Sequence, residues 1–310
     1  MASEFPRHVI SARQFGRDAL DSIMKTALGM EALCREKGGD RRLSGKVMAA
    51  LFYEESTRTR LSFETAMLRL GGSVIGTENA RMFSSVAKGE SLSDTIRIVG
   101  NYADIIVMRH NEEGASQSAS QVSKVPIINA GDGPGEHPTQ ALLDLYTIFK
   151  EFESIENKTI AMVGDLLHGR TVRSLSQLLM HYPGTRIIFV SPRRLAMRED
   201  IKQALAGKGF HYTETEDLDS ALAAADVVYM TRIQKERFGS PDEYDKYKGV
   251  YILDKARANK MKPNAIIMHP LPRVDEIAPE VDSNPRARYF EQAENGLYVR
   301  MALLDILLNG

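Results

Sequence analysis

The chain has 310 residues, 43% of them hydrophobic, and its 40 Lys and Arg offset 41 Asp and Glu to a formal charge of −1. This length accommodates two ordinary domains, and the near-neutral balance excludes the global basic field of a nucleic-acid-binding chain, so any anion site must be local. The lone cysteine, Cys34, excludes an intrachain disulfide framework and cysteine-rich zinc sites and fits a reducing compartment, with the cytoplasm as the expected location.

The N-terminus, Met1 to Arg7, has no basic segment followed by an apolar one, and no run of about 18 apolar residues follows anywhere, so neither a signal peptide nor a membrane span is expected. The first strand-like run, Val47 to Tyr53, leads into Glu55-Ser56-Thr57-Arg58-Thr59-Arg60. A helix pattern follows, with Phe63, Met67 and Leu70 at i, i+4 and i+7 and Gly71-Gly72 as its stop. A strand that ends in hydroxyl and guanidinium groups where a helix begins aims unpaired backbone N–H donors and side-chain donors at one spot, a natural seat for phosphate. The same string also reads as an ordinary N-cap with two solvated arginines. Thr77 to Ser91 is polar and helix-poor, with Ser84, Ser85 and Gly89 and with Lys88 as its lysine, and is long enough to reach outward.

The strand Asp104 to Met108 ends in Arg109-His110, placing a guanidinium at the carboxyl end of a strand, where open α/β sheets bind ligands. Val125 to Ile128 leads through Asn129-Ala130 and a loop, Gly131 to Glu136, into His137-Pro138-Thr139-Gln140. Pro138 suits a first helical turn, and His137 and Gln140, three apart, face one way. Both can donate to an oxygen that gains negative charge; the alternative is a capping histidine without a ligand. The helix from about Pro138 to Phe149 ends in a charged segment, Lys150 to Lys158, where the domain boundary is placed.

Further strands are expected at Thr159 to Val163, Arg186 to Val190, Val227 to Met230 and Ala265 to Met268. The first leads into Gly164-Asp165-Leu166-Leu167-His168-Gly169-Arg170-Thr171 and the third into Thr231-Arg232-Ile233-Gln234-Lys235, so each sets an arginine just past a strand end. Two such arginines suit a ligand with two carboxylates, with solvated arginines as the alternative. His269-Pro270-Leu271-Pro272-Arg273 follows the last strand; its prolines remove N–H groups and leave stiff carbonyls as acceptors for an amide-like ligand. Leu297 to Leu308 is an apolar helix pattern that must dock and could return to the first domain. Strands alternating with helices give the fold class: α/β, two domains, each a parallel β-sheet flanked by helices.

Two nucleotide-binding folds fail on their own motifs. Val163-Gly164-Asp165 follows a strand, but no G-x-G-x-x-G stands there, and Gly45-Lys46 is followed by Val47 with Asp40 where a P-loop needs glycine.

In order and spacing, Ser56 to Arg60 reinforced by Ser62-Phe63-Glu64, Arg109, His137 to Gln140 with Asp144 and Thr147, Arg170, Arg232 and the Leu271-Pro272 segment resemble the aspartate/ornithine carbamoyltransferases over nearly the whole chain. The resemblance implies a carbamoyl-phosphate-binding domain over 1–150, an aspartate-binding domain over 151–292, and a helix over 293–310 returning to the first. It implies that Ser56, Thr57, Arg58 and Thr59 bind the phosphate, that Thr59, Arg109 and His137 reach the carbamoyl oxygen, and that Gln140, Leu271 and Pro272 hold the carbamoyl NH2. Ser84 and Lys88 match positions that enter a neighbouring subunit's site, implying a homotrimer with shared sites, with a separate regulatory chain as a possible partner. Arg170, Arg232, Gln234 and Lys88 match amino-acid-binding positions. An ornithine site needs an acidic partner for an ammonium group, whereas Arg232, Gln234 and Lys235 offer cationic and neutral donors, and Pro270 stands where the ornithine enzymes carry cysteine. The implied substrates are carbamoyl phosphate and L-aspartate, joined without cofactor, metal or covalent nucleophile, in an early step of pyrimidine synthesis.

Overall fold

The computed structural model describes residues 5–78 and 89–310 and divides into two compact units, Met1–Tyr146 with Glu294–Gly310, and Thr147–Ala293. In the first unit, helix α1 (Arg17–Lys37) buries Leu20, Ile23, Met24, Ala27 and Met30 along one face. It ends at Gly38, whose φ of 76° lets its N–H close on the Cys34 carbonyl. Strand β1 (Val47–Phe52), helix α2 (Thr57–Arg69), β2 (Ser73–Glu78), α3 (Leu92–Val99), β3 (Ile105–His110), α4 (Ala115–Val122), β4 (Ile127–Asp132) and α5 (Pro138–Phe152) follow.

The sheet runs β2-β1-β3-β4 with every pair parallel. Its inner strands β1 and β3 are largely apolar, and they and the edge strand β4 are buried nearly throughout, as a sheet covered on both faces requires. Ala49, Leu51, Ile106, Met108 and Ile127 form one core face with Ile96 and Ala119. The chain steps from β1 outward to β2 and then crosses back to β3, so the connection order reverses between β1 and β3. That reversal opens a crevice at the carboxyl ends of those two strands.

The C-terminal helix α11 (Tyr289–Asn309) returns to the first unit and packs on α1, α2 and α5, in agreement with the sequence. Cys34 Sγ lies 3.4 Å from Met301 Sδ, Arg300 sits 5.0 Å above the Phe63 ring, and Leu143 packs close to Gly296. Arg300 is 3% exposed, and burial lowers its pKa to about 10 against the opposing pull of Asp144. Tyr146 donates to Glu31 at 2.7 Å, tying α5 to α1.

The second unit is built from β5 (Thr159–Val163), α6 (Arg170–Leu179), β6 (Arg186–Val190), α7 (Glu199–Gly207), β7 (His211–Thr215), α8 (Leu218–Ala224), β8 (Val227–Met230), α9 (Pro241–Asp245), α10 (Lys255–Lys260) and β9 (Ile266–Met268). Its sheet, β7-β6-β5-β8-β9, is also wholly parallel and reverses between β5 and β8. One core face gathers Ala161, Val163, Val228, Met230, Leu253, Ile267 and Tyr289. The outer strands β2 and β7 were not legible as strands. Ser73 to Thr77 and His211 to Thr215 are mostly exposed, the second mostly polar and the first with only Val74 and Ile75 as apolar residues, since an edge strand pairs through its backbone on one side only. Among the described residues, no helix is long and apolar enough to cross a membrane.

Candidate active site

In the first unit the candidate residues stand at the carboxyl edge of the sheet, around the β1/β3 reversal. Ser56 is the N-cap of α2, in extended backbone with φ of −162°, but its hydroxyl makes no capping hydrogen bond. The first-turn N–H groups of α2 therefore keep donor capacity that a helix start offers to an anion. Thr57, Arg58 and Thr59 form that first turn, with Thr59 buried and Thr57 and Arg58 exposed.

Arg109 lies opposite Phe52 in the β1–β3 register and is buried. Its Nη1 donates to the Ala130 carbonyl at 3.2 Å and its Nη2 to Glu54 Oε1 at 3.1 Å, while Nε has no acceptor among the described residues. Burial lowers the Arg109 pKa, and Glu54 opposes that by charge and hydrogen bond. Partial burial of the Arg58 guanidinium, and then the like charge of Arg109, lower the pKa of Arg58. Two cations thus stand near each other, with Glu54 as the carboxylate paired to Arg109, an arrangement that gains from a multiply charged anion.

His137 is buried just before Pro138 at the start of α5, with Thr139 Oγ1 3.5 Å from its Nδ1. Gln140 Nε2 donates to Asp144 Oδ1 at 2.8 Å, one turn on. The carboxylate accepts only, so it fixes the amide with the nitrogen inward and leaves the oxygen as the acceptor for an incoming N–H. Glu54 was not singled out from the sequence. No spacing rule links it to Arg109, because strand register alone brings β1 beside β3.

In the second unit, Arg170, Arg232, Gln234, Leu271 and Pro272 all follow strands β5, β8 and β9 at the carboxyl edge. Arg170 opens α6 behind Gly169, and Asp165, fully buried, accepts the backbone N–H of His168 at 3.0 Å and lies 3.0 Å from its ring Nδ1. Arg232 and Gln234 are half-buried, and Gln234 caps the short turn Lys235–Arg237. At the β5/β8 reversal, Gly164 has φ of +118°, and a Cβ there would stand 2.3 Å from the Thr231 carbonyl. The close approach requires glycine.

The segment after β9 is pinned. Leu271, with φ of 51°, donates its N–H to His269 Nδ1 at 2.8 Å, and His269 Nε2 lies 2.6 Å from Glu276 Oε1. Burial raises the pKa of Glu276, but the hydrogen bond from His269 and the backbone N–H donors together bring it below the ordinary glutamate value. Glu276 went unremarked in the sequence because it acts across a loop. Ser84 and Lys88 lie outside the described residues. Among the described residues, no group of three or more His, Cys, Asp or Glu could hold a metal ion.

Residues 7–151 match the model of the aspartate/ornithine carbamoyltransferase carbamoyl-P binding domain, and residues 156–307 that of the family's Asp/Orn binding domain. The chain belongs to the aspartate/ornithine carbamoyltransferase family. Membership makes it a carbamoyltransferase. It is 55% identical over 308 residues to a chloroplastic aspartate carbamoyltransferase of Oryza sativa subsp. japonica, covering 97% of this chain and 85% of the rice protein. The crystallised catalytic subunit of M. jannaschii aspartate transcarbamoylase superposes with a TM-score of 0.92 at 51% identity, covering 98% of each chain. Aspartate transcarbamoylase from Trypanosoma cruzi, solved with carbamoyl phosphate and aspartate, superposes with a TM-score of 0.93 at 41% identity, covering 99% of this chain and 98% of that one.

The rice carbamoyltransferase corrects one expectation. A cytoplasmic location does not stand, since so close a relative is chloroplastic. One cysteine and the lack of an apolar span describe any reducing compartment equally, and neither feature addresses a chain to one of them.

Proposed function

We propose that this carbamoyltransferase transfers the carbamoyl group of carbamoyl phosphate to the α-amino group of L-aspartate, giving N-carbamoyl-L-aspartate and phosphate, an early step of pyrimidine synthesis. The observation that carries the reading is the pairing of Arg58 and Arg109 at the β1/β3 reversal, beside an α2 N-terminus whose cap hydroxyl is uncommitted. Ser56, Thr57, Arg58 and Thr59 hold the phosphate, with Ser84 and Lys88 supplied by a neighbouring copy in a homotrimer. Thr59, Arg109 and His137 bind the carbamoyl oxygen, and Gln140, through the amide oxygen that Asp144 leaves outward, accepts from the carbamoyl NH2 together with the Leu271 and Pro272 carbonyls.

Arg170, Arg232, Gln234 and the neighbour's Lys88 bind the two carboxylates of aspartate. The uncharged α-amino nitrogen attacks the carbonyl carbon and forms a C–N bond, and the C=O electrons move onto the oxygen. The tetrahedral intermediate then collapses, the C–O bond to phosphate breaks, phosphate leaves with that electron pair, and the nitrogen loses a proton. Arg109, Thr59 and His137 stabilise the oxyanion, and Arg58 and Lys88 stabilise the leaving phosphate. Holding two mutually repelling anions side by side supplies the rest of the acceleration, an entropic task that effective molarities put at roughly 7–11 kcal/mol.

The solved M. jannaschii relative is described as a catalytic subunit, which supports a separate regulatory chain as a partner of the trimer. The test is formation of carbamoylated amino acid from carbamoyl phosphate, with aspartate and ornithine offered separately and Arg58→Ala as control. Product with aspartate alone, lost in the control, is the expected result; product with ornithine alone overturns the assignment of Arg232 and Gln234 to a dicarboxylate.

A further inference from the structure

Between β9 and Glu276 the chain must present carbonyl groups while keeping a conformation that two prolines leave short of N–H donors. Of residues 270–272 only Leu271 carries an N–H, and that donor goes to His269 Nδ1 at 2.8 Å. A ring nitrogen that accepts carries a lone pair, so the His269 proton sits on Nε2, which donates to Glu276 Oε1 at 2.6 Å. Glu276 Oε2 in turn accepts the backbone N–H groups of Val274 and Asp275 at 3.2 and 3.1 Å. The His269 backbone N–H is held by Gln292 Oε1 at 2.8 Å, so the base of the segment is fixed as well. Among the described residues, none donates to the carbonyl oxygens of Pro270, Leu271 or Pro272.

We propose that His269 and Glu276 are positioning residues for the reaction: neutral His269, its tautomer set by Glu276, fixes the Leu271 peptide so that the Leu271 and Pro272 carbonyls meet the carbamoyl NH2 in the geometry of attack. The inference deepens the functional reading above and rests on it. Leu271 adopts φ of 51°, a left-handed conformation unfavourable to a residue with a branched side chain, and the His269 contact is what its own N–H offers to hold it there. His269 touches no substrate in this scheme. Its effect passes through the backbone of Leu271.

Two substitutions separate this role from support of the buried carboxylate. His269→Asn places an amide oxygen where Nδ1 stood, so it accepts from Leu271 N–H but falls short of Glu276. His269→Gln reaches Glu276 with its NH2 but gives Leu271 no acceptor. With positioning, His269→Asn keeps kcat within about fivefold of the parent while His269→Gln loses on the order of 100-fold, the scale of a misplacement of about 1 Å, with the KM for carbamoyl phosphate little changed in both. A kcat for His269→Gln equal to or above that of His269→Asn, in a parent chain active with aspartate, overturns the inference alone. A parent chain inactive with both amino acids overturns the functional reading and this inference together.

A second measurement does not depend on how the variants fold. In the parent chain labelled with 15N-histidine, His269 is expected to show protonated Nε2 and unprotonated Nδ1 at neutral pH, and a proton on Nδ1 overturns the inference.

Discussion

Arg109 reaches Glu54 over 3.1 Å from Nη2 while its own Nε and the second Glu54 oxygen stay buried without partners among the described residues. The ion pair thus leaves one buried donor on Arg109 and one buried acceptor on Glu54 unused, and on the functional reading proposed above an entering oxyanion would complete the guanidinium at the expense of the carboxylate.

Glu54→Gln keeps an acceptor for Arg109 but removes its countercharge. Inorganic phosphate is expected to bind about fivefold more tightly, a change of about 1 kcal/mol for one partly screened charge, as read by calorimetric titration. Arg109→Ala is expected to cost about 100- to 1000-fold in kcat, the usual loss for one oxyanion donor. Unchanged phosphate affinity in the first variant argues against competition between Glu54 and the anion.

Phosphate itself should stabilise the first unit. At about 100 times its dissociation constant the linkage amounts to about 2.7 kcal/mol, and scanning calorimetry is expected to show a rise of several degrees that chloride at equal ionic strength does not give. Arg58→Ala should abolish the rise without lowering the starting Tm, because Arg58 stands beside the like charge of Arg109. A full phosphate response in Arg58→Ala would place the anion elsewhere.

Arg232→Ala is expected to raise the KM for aspartate about 10- to 100-fold, the loss of charge-assisted hydrogen bonds worth about 1.5–3 kcal/mol, and to leave the dissociation constant of phosphate within twofold. Initial-rate kinetics with aspartate varied, together with a phosphate titration, separate the two. Equal weakening of both ligands counts against a divided site.

At Gly164→Ala the new Cβ meets the Thr231 carbonyl and hydroxyl at 2.3 and 2.6 Å with φ of +118°. The backbone must yield, at a cost of about 1–3 kcal/mol in urea unfolding. Because Thr231 precedes Arg232, the aspartate KM should rise as well. A variant with parental stability and parental KM would show that the β5/β8 approach is looser than this geometry.

Glu276 sets a pH dependence. Its folded pKa lies below the ordinary glutamate value, so its stabilising contribution is complete above the unfolded pKa and disappears as pH falls through the folded one. Glu276→Gln is expected to lose about 1.5–3 kcal/mol at pH 7, for hydrogen bonds to a charged group, and to show a smaller further loss than the parent on acidification below the ordinary glutamate range. Urea unfolding at pH 7 and pH 4 measures both, and parallel losses in parent and variant would contradict the assignment.

Much of the architecture was legible because the inner strands are buried on both faces and so read as unbroken apolar runs. Val47 to Phe52 and Thr159 to Val163 fall where their composition places them. The edge strands β2 and β7 were hidden by the same logic, since Ser73, Thr77, His211 and Thr213 answer to solvent rather than to a core. In the site, residues at or soon after the end of a strand, such as Arg58, Arg109 and Arg232, could be placed at its carboxyl end from order alone. Their supports could not. Glu54 meets Arg109 through strand pairing, and Glu276 meets His269 through the shape of a loop, and neither leaves a period in the sequence. The apolar pattern of the last helix was plain, but Arg300, a buried cation within it, runs against that pattern.

The return of α11 to the first unit bears on how the molecule is made. During synthesis Thr147–Ala293 is complete before Glu294–Gly310 leaves the ribosome, while the residues that α11 covers, Phe63 and Leu143 among them, have emerged long before and wait. Domains usually mature from the N-terminus onward. Here the order inverts: the unit whose translation begins first is completed only after Thr147–Ala293 has been made and Glu294–Gly310 has followed it.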